Sequence, residues 1–362
     1  YETRLSVVKL LALALAGVLL LRYTDSKRRT RALLFTLIAV GLASALFGIL
    51  RQTTQHAHGF LLSSLSPNSG YAQFINRNHF AYLAEMTLGL TLGLIIYKGV
   101  RREHALIYLA LVLPIWTALV LCNSRGGVFS MLAQILFLAL LFNFKGSKRE
   151  RRTEEMEDRG RFWRISHAAI FRPLIILCLI ATVFIGALWL GGEALTSRLE
   201  TVSSEIAHER SAGDEGVGRR DIWRATWRMI KDHPIVGVGF NGYWAAIPQY
   251  HDASGESIPQ QAHNDYLELA ASGGIIGVLL VAWFLVLLIK GISRSFQAVD
   301  ATSSAVSRAA VAGLFGVAVH SLVDFGLHVT INALVFTSLI VIAVSASRIA
   351  QERATGSLPL AH

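Results

Sequence analysis

Charged residues and cysteines are both scarce in this sequence. Asp, Glu, Lys and Arg make up 16% of the 362 residues, whereas a soluble domain carries about 25%. Hydrophobic residues make up 53%, and the mean hydropathy is +0.49. The two cysteines, Cys122 and Cys178, lie inside apolar runs, where a thiol acts as a small apolar filler. This composition excludes a soluble domain held by disulfides and gives no support to a redox function.

The sequence also lacks the motifs that mark metal, nucleotide and serine-hydrolase sites. The connections between its apolar runs hold no Asp-x-Asp, no His-Glu-x-x-His and no cysteine cluster, and neither Gly-x-Ser-x-Gly nor a Walker loop occurs. Gly237, Gly239 and Gly242 have the spacing of a dinucleotide fingerprint, but no βαβ unit surrounds them, so we interpret them as turns. We therefore expect no metal ion and no cofactor.

What the sequence has instead is a series of long apolar runs. Each of nine runs approaches the roughly 20 residues that cross a bilayer, and backbone groups in lipid must pair within the segment, so we expect helices. The runs are 5–21, 32–50, 80–97, 105–122, 128–144, 168–190, 266–289, 309–323 and 329–346. The predicted fold is an all-α, polytopic transmembrane helix bundle with about nine spans.

The net charge of +10 is concentrated in every second connection. Lys and Arg cluster after the first, third, fifth, seventh and last runs, as they do in cytoplasmic loops. A nucleic-acid patch would instead need interleaved aromatic residues on a soluble face, so no nucleic-acid partner is expected. The alternation predicts an outer amino terminus and a cytoplasmic carboxyl terminus. The connections 51–79, 123–127, 191–265 and 320–328 then lie on the outer face.

This topology divides the chain into three predicted segments. Residues 1–190 would form transmembrane helices joined by short outer motif loops. Residues 191–265 would form an outer loop domain with an amphipathic helix, and 266–362 would form further transmembrane helices and a short cytoplasmic tail. Ionisable side chains cluster in the outer connections, and because such groups are costly at membrane depth they are functional candidates.

Arg125 lies in the short second outer connection, beside Ser124 and followed by Gly126 and Gly127. A single Arg at a helix end can be a snorkelling anchor. Alternatively, its guanidinium fork suits bidentate phosphate binding, and the two glycines allow the backbone to approach a ligand closely. The neighbouring residues favour the phosphate site.

The long outer connection contains a predicted amphipathic helix over residues 221–232, which Pro234 ends. One stripe of this helix is formed by Trp223, Trp227 and Ile230, a pattern typical of anchors at a bilayer surface. A second stripe carries Arg220, Arg224 and Arg228. The arginine stripe is either a solvated face or a cradle for an anionic lipid headgroup.

Histidines stand at two of the outer boundaries. His263 immediately precedes the seventh run, where it is either a polar boundary residue or a general base for chemistry near neutral pH. His320 and Asp324 are four positions apart, so on a helix they would face the same way. They would either orient the site as a hydrogen-bonded pair or simply satisfy each other within the bundle.

Short motifs recur in one order along the chain, at 76–80, 124–127, 218–223, 233–239 and 262–267. With the closing segment 320–328, their order and spacing resemble the O-antigen ligase and Wzy-type polymerase superfamily, from the second apolar run onward. The resemblance implies about twelve spans with both termini inside. We therefore expect about three of the family's spans to be missing before residue 5.

The resemblance implies an inverting, metal-independent glycosyltransferase of lipopolysaccharide or polysaccharide biosynthesis, in a bacterial inner membrane with its site facing the periplasm. An acceptor sugar hydroxyl would attack a glycan carried by undecaprenyl diphosphate. Arg125 and Arg220 would bind the diphosphate, with Arg219 as the alternative to Arg220, and His263 would be the general base. The further substrate-binding candidates are Asn78, His79, Ser124, Arg219, Arg224, Asn264, Tyr266, His320 and Asp324.

Two alternatives to a ligase stay open. A polymerase would use the same chemistry, with a growing polysaccharide as the acceptor instead of a lipid A core sugar; the Arg and His motifs favour the ligase slightly. A transporter or flippase would also hold ionisable residues in the membrane, but such sites usually lie near the bilayer midplane. Here the ionisable residues concentrate at one interface.

Overall fold

The computed structural model describes residues 2–54, 70–150, 219–251, 259–298 and 300–354. Within these ranges every regular element is helical, apart from an isolated bridge between Tyr71 and Phe74. The helices are α1 (Glu2–Tyr23), α2 (Lys27–Thr54), α3 (Arg77–Ile96), α4 (Ala105–Leu121), α5 (Arg125–Glu150), α6 (Arg219–Asp232), α7 (Tyr243–Ala246), α8 (Asp265–Phe296), α9 (Ala301–His320) and α10 (Thr330–Ala354). The predicted all-α class is confirmed for the described part of the chain.

The chain forms two compact units. One comprises Tyr1–Gln134 and Val217–His362, and the other Ile135–Gly216. The first unit holds all of the candidate site residues. Of the second unit the structure describes only the last part of α5, up to Glu150.

Six of the described helices are long and apolar enough to cross a membrane: α1, α2, α3, α8, α9 and α10. They correspond to the first three and last three predicted spans. The fourth and fifth predicted spans are also helical, but their apolar parts, Ala105–Leu121 and Arg125–Leu140, are shorter than 18 residues. The sixth, 168–190, lies outside the described residues. The total of nine spans stays a prediction.

The eighth predicted span begins and ends earlier than its apolar run indicates. The run is 309–323, whereas α9 covers Ala301–His320. The helix begins early because the Asp300 carboxylate caps it, accepting a hydrogen bond from the Ser303 N–H at 2.9 Å. The first part of α9 contains small and polar residues, such as Ser307, that are buried against other helices. Because their hydropathy is low, the apolar run did not include them.

Helix α3 is the centre of the first unit, because 15 of its 20 residues, Phe80 to Leu94, are buried. It packs closely on α9 through small residues. A Cβ built on Gly93 would lie 2.5 Å from Ala309 Cα, and one on Gly313 would lie 2.7 Å from the Met86 carbonyl oxygen. Such close backbone approach through small residues is typical of helix packing in membranes.

Helix α8 is interrupted at Gly274, whose φ of 56° and ψ of −159° are not helical. The segment after α6 supplies partners for the backbone groups near this break. Ile275 N–H donates to the Pro234 carbonyl at 2.8 Å, and Val238 N–H donates to the Ala271 carbonyl at 2.9 Å. Gly237 and Gly239 both have positive φ in this segment, which confirms that these glycines form turns.

Helix α6 confirms the predicted amphipathic helix and its end before Pro234. Its buried face differs from the two predicted stripes, since the buried residues are Ile222, Ala225, Thr226 and Met229. Of these, Ala225 and Met229 pack in one cluster with Tyr243, Ile247, Ala262 and Ala271. Trp227 stays exposed and Trp223 is half-buried. Thus α6 rests on the start of α8 through small and aliphatic residues.

Candidate active site

Asp324 is the centre of a polar cluster that joins three parts of the chain. Its side chain is 1% exposed. Its Oδ2 accepts a hydrogen bond from Asn78 Nδ2 at 2.5 Å and lies 3.8 Å from Arg219 Nη2. Its Oδ1 lies 3.9 Å from His263 Nδ1. We call Asn78, Arg219, His263 and Asp324 the polar cluster; all four were predicted site residues.

The end of α9 places Asp324 in this cluster. The helix stops at His320, whose carbonyl accepts from both the Val323 and Asp324 N–H groups in a tight turn. The prediction that His320 and Asp324 pair on one helical face is therefore wrong. His320 instead contacts Glu85, with 3.1 Å between Nδ1 and Oε2.

His263 is held in a backbone conformation that non-glycine residues rarely adopt, with φ of 49°. Its ring meets Phe325 edge-on, with 4.8 Å between centroids. Nδ1 is buried and makes no hydrogen bond, since 3.9 Å to Asp324 is too long for one. The imidazole thus lies beside a carboxylate without being bonded to it.

The surroundings of His263 favour its neutral form. Burial lowers the pKa of His263 below its usual value, while the Asp324 carboxylate raises it and the Arg219 guanidinium lowers it again. The lowering effects prevail. A histidine with this lowered pKa is unprotonated at neutral pH and can accept a proton.

Asn264 and Ser321 connect the start of α8 to the connection that carries Asp324. Asn264 Oδ1 caps α8 by accepting from Tyr266 N–H and Leu267 N–H, and its Nδ2 donates to the Leu322 carbonyl at 2.9 Å. Ser321 Oγ donates to Asp265 Oδ2 at 2.6 Å. Asn264 thus has a structural role that occupies both ends of its amide.

The candidate arginines differ in their partners. Arg219 faces Asp324, whereas Arg220 makes no hydrogen bond or ion pair within the described part of the chain. Arg224 donates to Asp221 on its own helix at 3.0 Å, and Arg228 donates to the Tyr250 carbonyl at 2.5 Å. The structure therefore brings Arg219, and not Arg224, to the polar cluster.

Arg125 is exposed at the start of α5, beside the buried end of α9. Ser124 caps this helix, accepting from the Gly127 N–H at 3.1 Å. A Cβ on Gly126 would lie 2.5 Å from His320 Nε2. The turn that carries Arg125 therefore packs directly on His320.

Two further predicted residues have packing partners. Tyr266 donates its hydroxyl to the Ala318 carbonyl at 2.7 Å, which joins α8 to α9. The His79 ring meets Phe325 edge-on at 5.0 Å between centroids, and its carbonyl accepts from Asn332. His79 Nε2 is buried and makes no hydrogen bond within the described part of the chain.

The comparison with protein families gives a match over the middle of the chain. The model of the O-antigen ligase family matches residues 107–282. This segment, just under half of the chain, is similar to the O-antigen ligase family. No curated protein matches the chain. The matched O-antigen ligase segment includes Arg125, Arg219, Arg220 and His263, whereas Asn78 and Asp324 lie outside it.

Sequence reasoning missed that the buried residue Glu85 forms an ionisable pair with His320. Glu85 and His320 are both 0% exposed, and Glu85 also accepts a hydrogen bond from Ser130 Oγ at 2.6 Å. Tyr82 stacks on His320 with 4.2 Å between ring centroids. Glu85 is an acidic residue inside an otherwise apolar run, and that isolated charge was the available signal.

Phe325 was also missed by the sequence analysis, whereas His328 lies in the marked segment 320–328. Phe325 has the rings of His79, His263 and His328 around it, with centroid distances of 5.0, 4.8 and 5.9 Å. His328 Nε2 lies 3.5 Å from Glu268 Oε1 and 3.7 Å from Asp265 Oδ1. Among the described residues, no three His, Cys, Asp or Glu side chains are grouped to hold a metal ion.

Proposed function

We propose that this protein transfers a glycan from undecaprenyl diphosphate to a sugar hydroxyl, at the periplasmic face of a bacterial inner membrane. The observation that carries the proposal is the juxtaposition of His263 with Asp324 and Arg219, next to the exposed Arg220. The match of residues 107–282 to the O-antigen ligase family supports a lipid-linked polysaccharide as the substrate class.

His263 is the general base in this proposal. The Asp324 carboxylate faces Nδ1, which favours the tautomer with its proton on Nδ1 and leaves Nε2 to accept the hydroxyl proton. The 3.9 Å separation would shorten in the substrate complex, as catalytic hydrogen bonds often do. Asp324 then stabilises the imidazolium that forms.

The transfer itself is a single displacement. The acceptor oxygen attacks the anomeric carbon as its proton passes to His263 Nε2, and the bond from that carbon to the diphosphate oxygen breaks. The diphosphate leaves with the electron pair, so negative charge develops there and needs cations. Arg220 and Arg125 supply them, while Arg219 is paired with Asp324. Attack opposite the leaving group inverts the anomeric configuration.

The acceptor is a lipid A core sugar in the ligase form of this proposal. The same residues would serve a polymerase, in which the acceptor is the end of another lipid-linked glycan. A purified-protein assay with an undecaprenyl diphosphate-linked oligosaccharide separates the two when lipid A core is present in one sample and absent from the other. Product formed only with lipid A core identifies a ligase, and product formed from the donor alone identifies a polymerase.

The same assay tests the chemistry. His263→Ala is expected to abolish transfer while leaving membrane insertion and thermal stability near those of the unsubstituted protein. His251→Ala is a matched control, because His251 lies on the same connection, outside the polar cluster. Transfer is also expected to survive EDTA. Full transfer by His263→Ala would overturn the assignment of the base.

One observation favours a transporter as the second candidate. Glu85 and His320 form a fully buried ionisable pair within the helix bundle, and transporters use such groups as proton carriers. In liposomes, a transporter would move the lipid-linked glycan between leaflets and would lose this flux in Glu85→Gln. Flux of the lipid-linked glycan without any glycosidic product would identify the protein as a transporter.

A further inference from the structure

Ala262, immediately before His263, has both of its backbone hydrogen-bonding groups held by side chains. Its N–H donates to Glu268 Oε2 at 2.9 Å, and its carbonyl accepts from Trp223 Nε1 at 3.0 Å. Ala262 is 0% exposed, so neither group has water as an alternative partner. The two contacts together fix the orientation of the backbone that leads into His263.

His263 needs such support because of its backbone conformation. Its φ of 49° is unfavourable for a residue with a Cβ, and a residue keeps this conformation only where its surroundings impose it. On the following side, the Asn264 amide caps α8 and bonds to Leu322. Trp223 and Glu268 restrain the backbone of Ala262, the residue before His263, in the same way.

Trp223 also links Arg219 to His263. It lies on α6 four positions after Arg219, and residues at that spacing share a helix face. The indole N–H therefore ties the face that carries Arg219 to the loop that carries His263. Glu268, near the start of α8, connects that helix to the same loop through its hydrogen bond with Ala262.

We propose that Trp223 and Glu268 are positioning residues for His263, which hold Ala262 from both sides so that the imidazole stays aimed between Asp324 and the substrate. The inference rests on the proposed role of His263 as the general base. Neither residue touches the reacting atoms. Because a displacement of about 1 Å in a catalytic group costs up to about a hundredfold in rate, their loss lowers the turnover of bound substrate.

The test compares Trp223→Phe with Trp227→Phe, and Glu268→Ala with Glu268→Gln. Trp223→Phe removes the indole donor but keeps an aromatic ring, and Trp227→Phe makes the same change at an exposed position on the same helix. Glu268→Gln keeps an oxygen that can accept from Ala262, whereas Glu268→Ala does not. Each protein is assayed by transfer from the undecaprenyl diphosphate-linked oligosaccharide.

We expect Trp223→Phe and Glu268→Ala to lose about tenfold to a hundredfold in kcat, with the donor KM changed far less. Glu268→Gln recovers most of the rate, and Trp227→Phe behaves like the unsubstituted protein. The midpoint of the acid limb of kcat/KM moves to higher pH in the two impaired variants, because a loosened imidazole becomes hydrated and loses the effect of burial on its pKa. A smaller folded fraction would lower the amplitude without moving that midpoint.

The proposal is overturned if Trp223→Phe matches Trp227→Phe, or if Glu268→Ala matches Glu268→Gln. It is also overturned if the loss of activity equals the loss of folded protein and the midpoint of the acid limb does not move. His263→Ala in the same assay separates this inference from the proposed function. An inactive His263→Ala beside a fully active Trp223→Phe rejects only the positioning role, whereas an active His263→Ala rejects the base itself.

Discussion

The Arg219 guanidinium lies 3.8 Å from the Asp324 carboxylate and so joins α6 to the connection between α9 and α10. Asp324 is 1% exposed and needs a nearby cation or donors, whereas Arg219 is 51% exposed. The pair brings a positive charge next to His263 without placing it in the core. It also leaves the neighbouring Arg220 as the cation available to an anionic substrate.

Asp324→Asn is expected to move the acid limb of the pH profile to lower pH. The unprotonated His263 is the active form, so activity falls as the pH drops through the lowered pKa of His263. The Asp324 charge raises that pKa, and its removal lowers the pKa further. The maximal rate should also fall, because the imidazolium loses its counter-charge. The measurement is kcat/KM against pH. Asp221→Asn is the control, because it removes an exposed carboxylate on α6. An acid limb that does not move in Asp324→Asn would contradict the Asp324–His263 interaction.

Arg219→Gln and Arg220→Gln are expected to have different effects. The Arg219 charge lowers the pKa of His263, so its removal should move the acid limb to higher pH, opposite to Asp324→Asn. Arg220→Gln should leave that limb in place and weaken diphosphate binding, raising the donor KM and lowering kcat. Steady-state kinetics at several pH values distinguish these results. If both variants shifted the limb equally, the division of roles between the two arginines would be wrong.

Gly126→Ala is expected to destabilise the protein by about 1–3 kcal/mol and to reduce transfer, because the new methyl group overpacks a full site. Its Cβ would lie 2.5 Å from His320 Nε2, and the shift would displace the turn that holds Arg125. Gly273→Ala is the control, since its Cβ would meet Leu269 Cδ1 at an ordinary 4.0 Å. Thermal unfolding in detergent measures the first effect and the transfer assay the second. Equal stability of the two variants would disprove the tight contact.

Glu85 and His320 are expected to depend on each other for stability. Removing one partner of a buried ionisable pair typically costs roughly 3–5 kcal/mol, because the remaining group is left unpaired. Glu85→Gln and His320→Ala should each lower the unfolding temperature, and the double variant should lose less than the sum of the two. Thr91→Val is the control, because the Thr91 hydroxyl bonds only to its own helix. Additive losses would mean that the two side chains act independently.

Much of the fold was predictable because its signals are local. Apolar length marked α1, α2, α3, α8, α9 and α10, since a helix that crosses lipid must satisfy its own backbone. The amphipathic pattern and Pro234 marked α6 and its end. The start of α9 was missed because its first turns bury Ser and Ala against other helices, which hydropathy does not detect.

Within the described residues, the sequence by itself determined which segments are helical and which connections carry ionisable residues, because both are properties of neighbouring positions. It also marked Asn78, Arg219, His263 and Asp324 individually. Only the tertiary structure decided their partners: Asn78 and Asp324 are 246 positions apart, and His320 turns to Glu85, 235 positions away. The pairing depends on where α9 ends and how closely its small residues let it approach α3. No local pattern encodes that approach, since it results from the packing of distant helices.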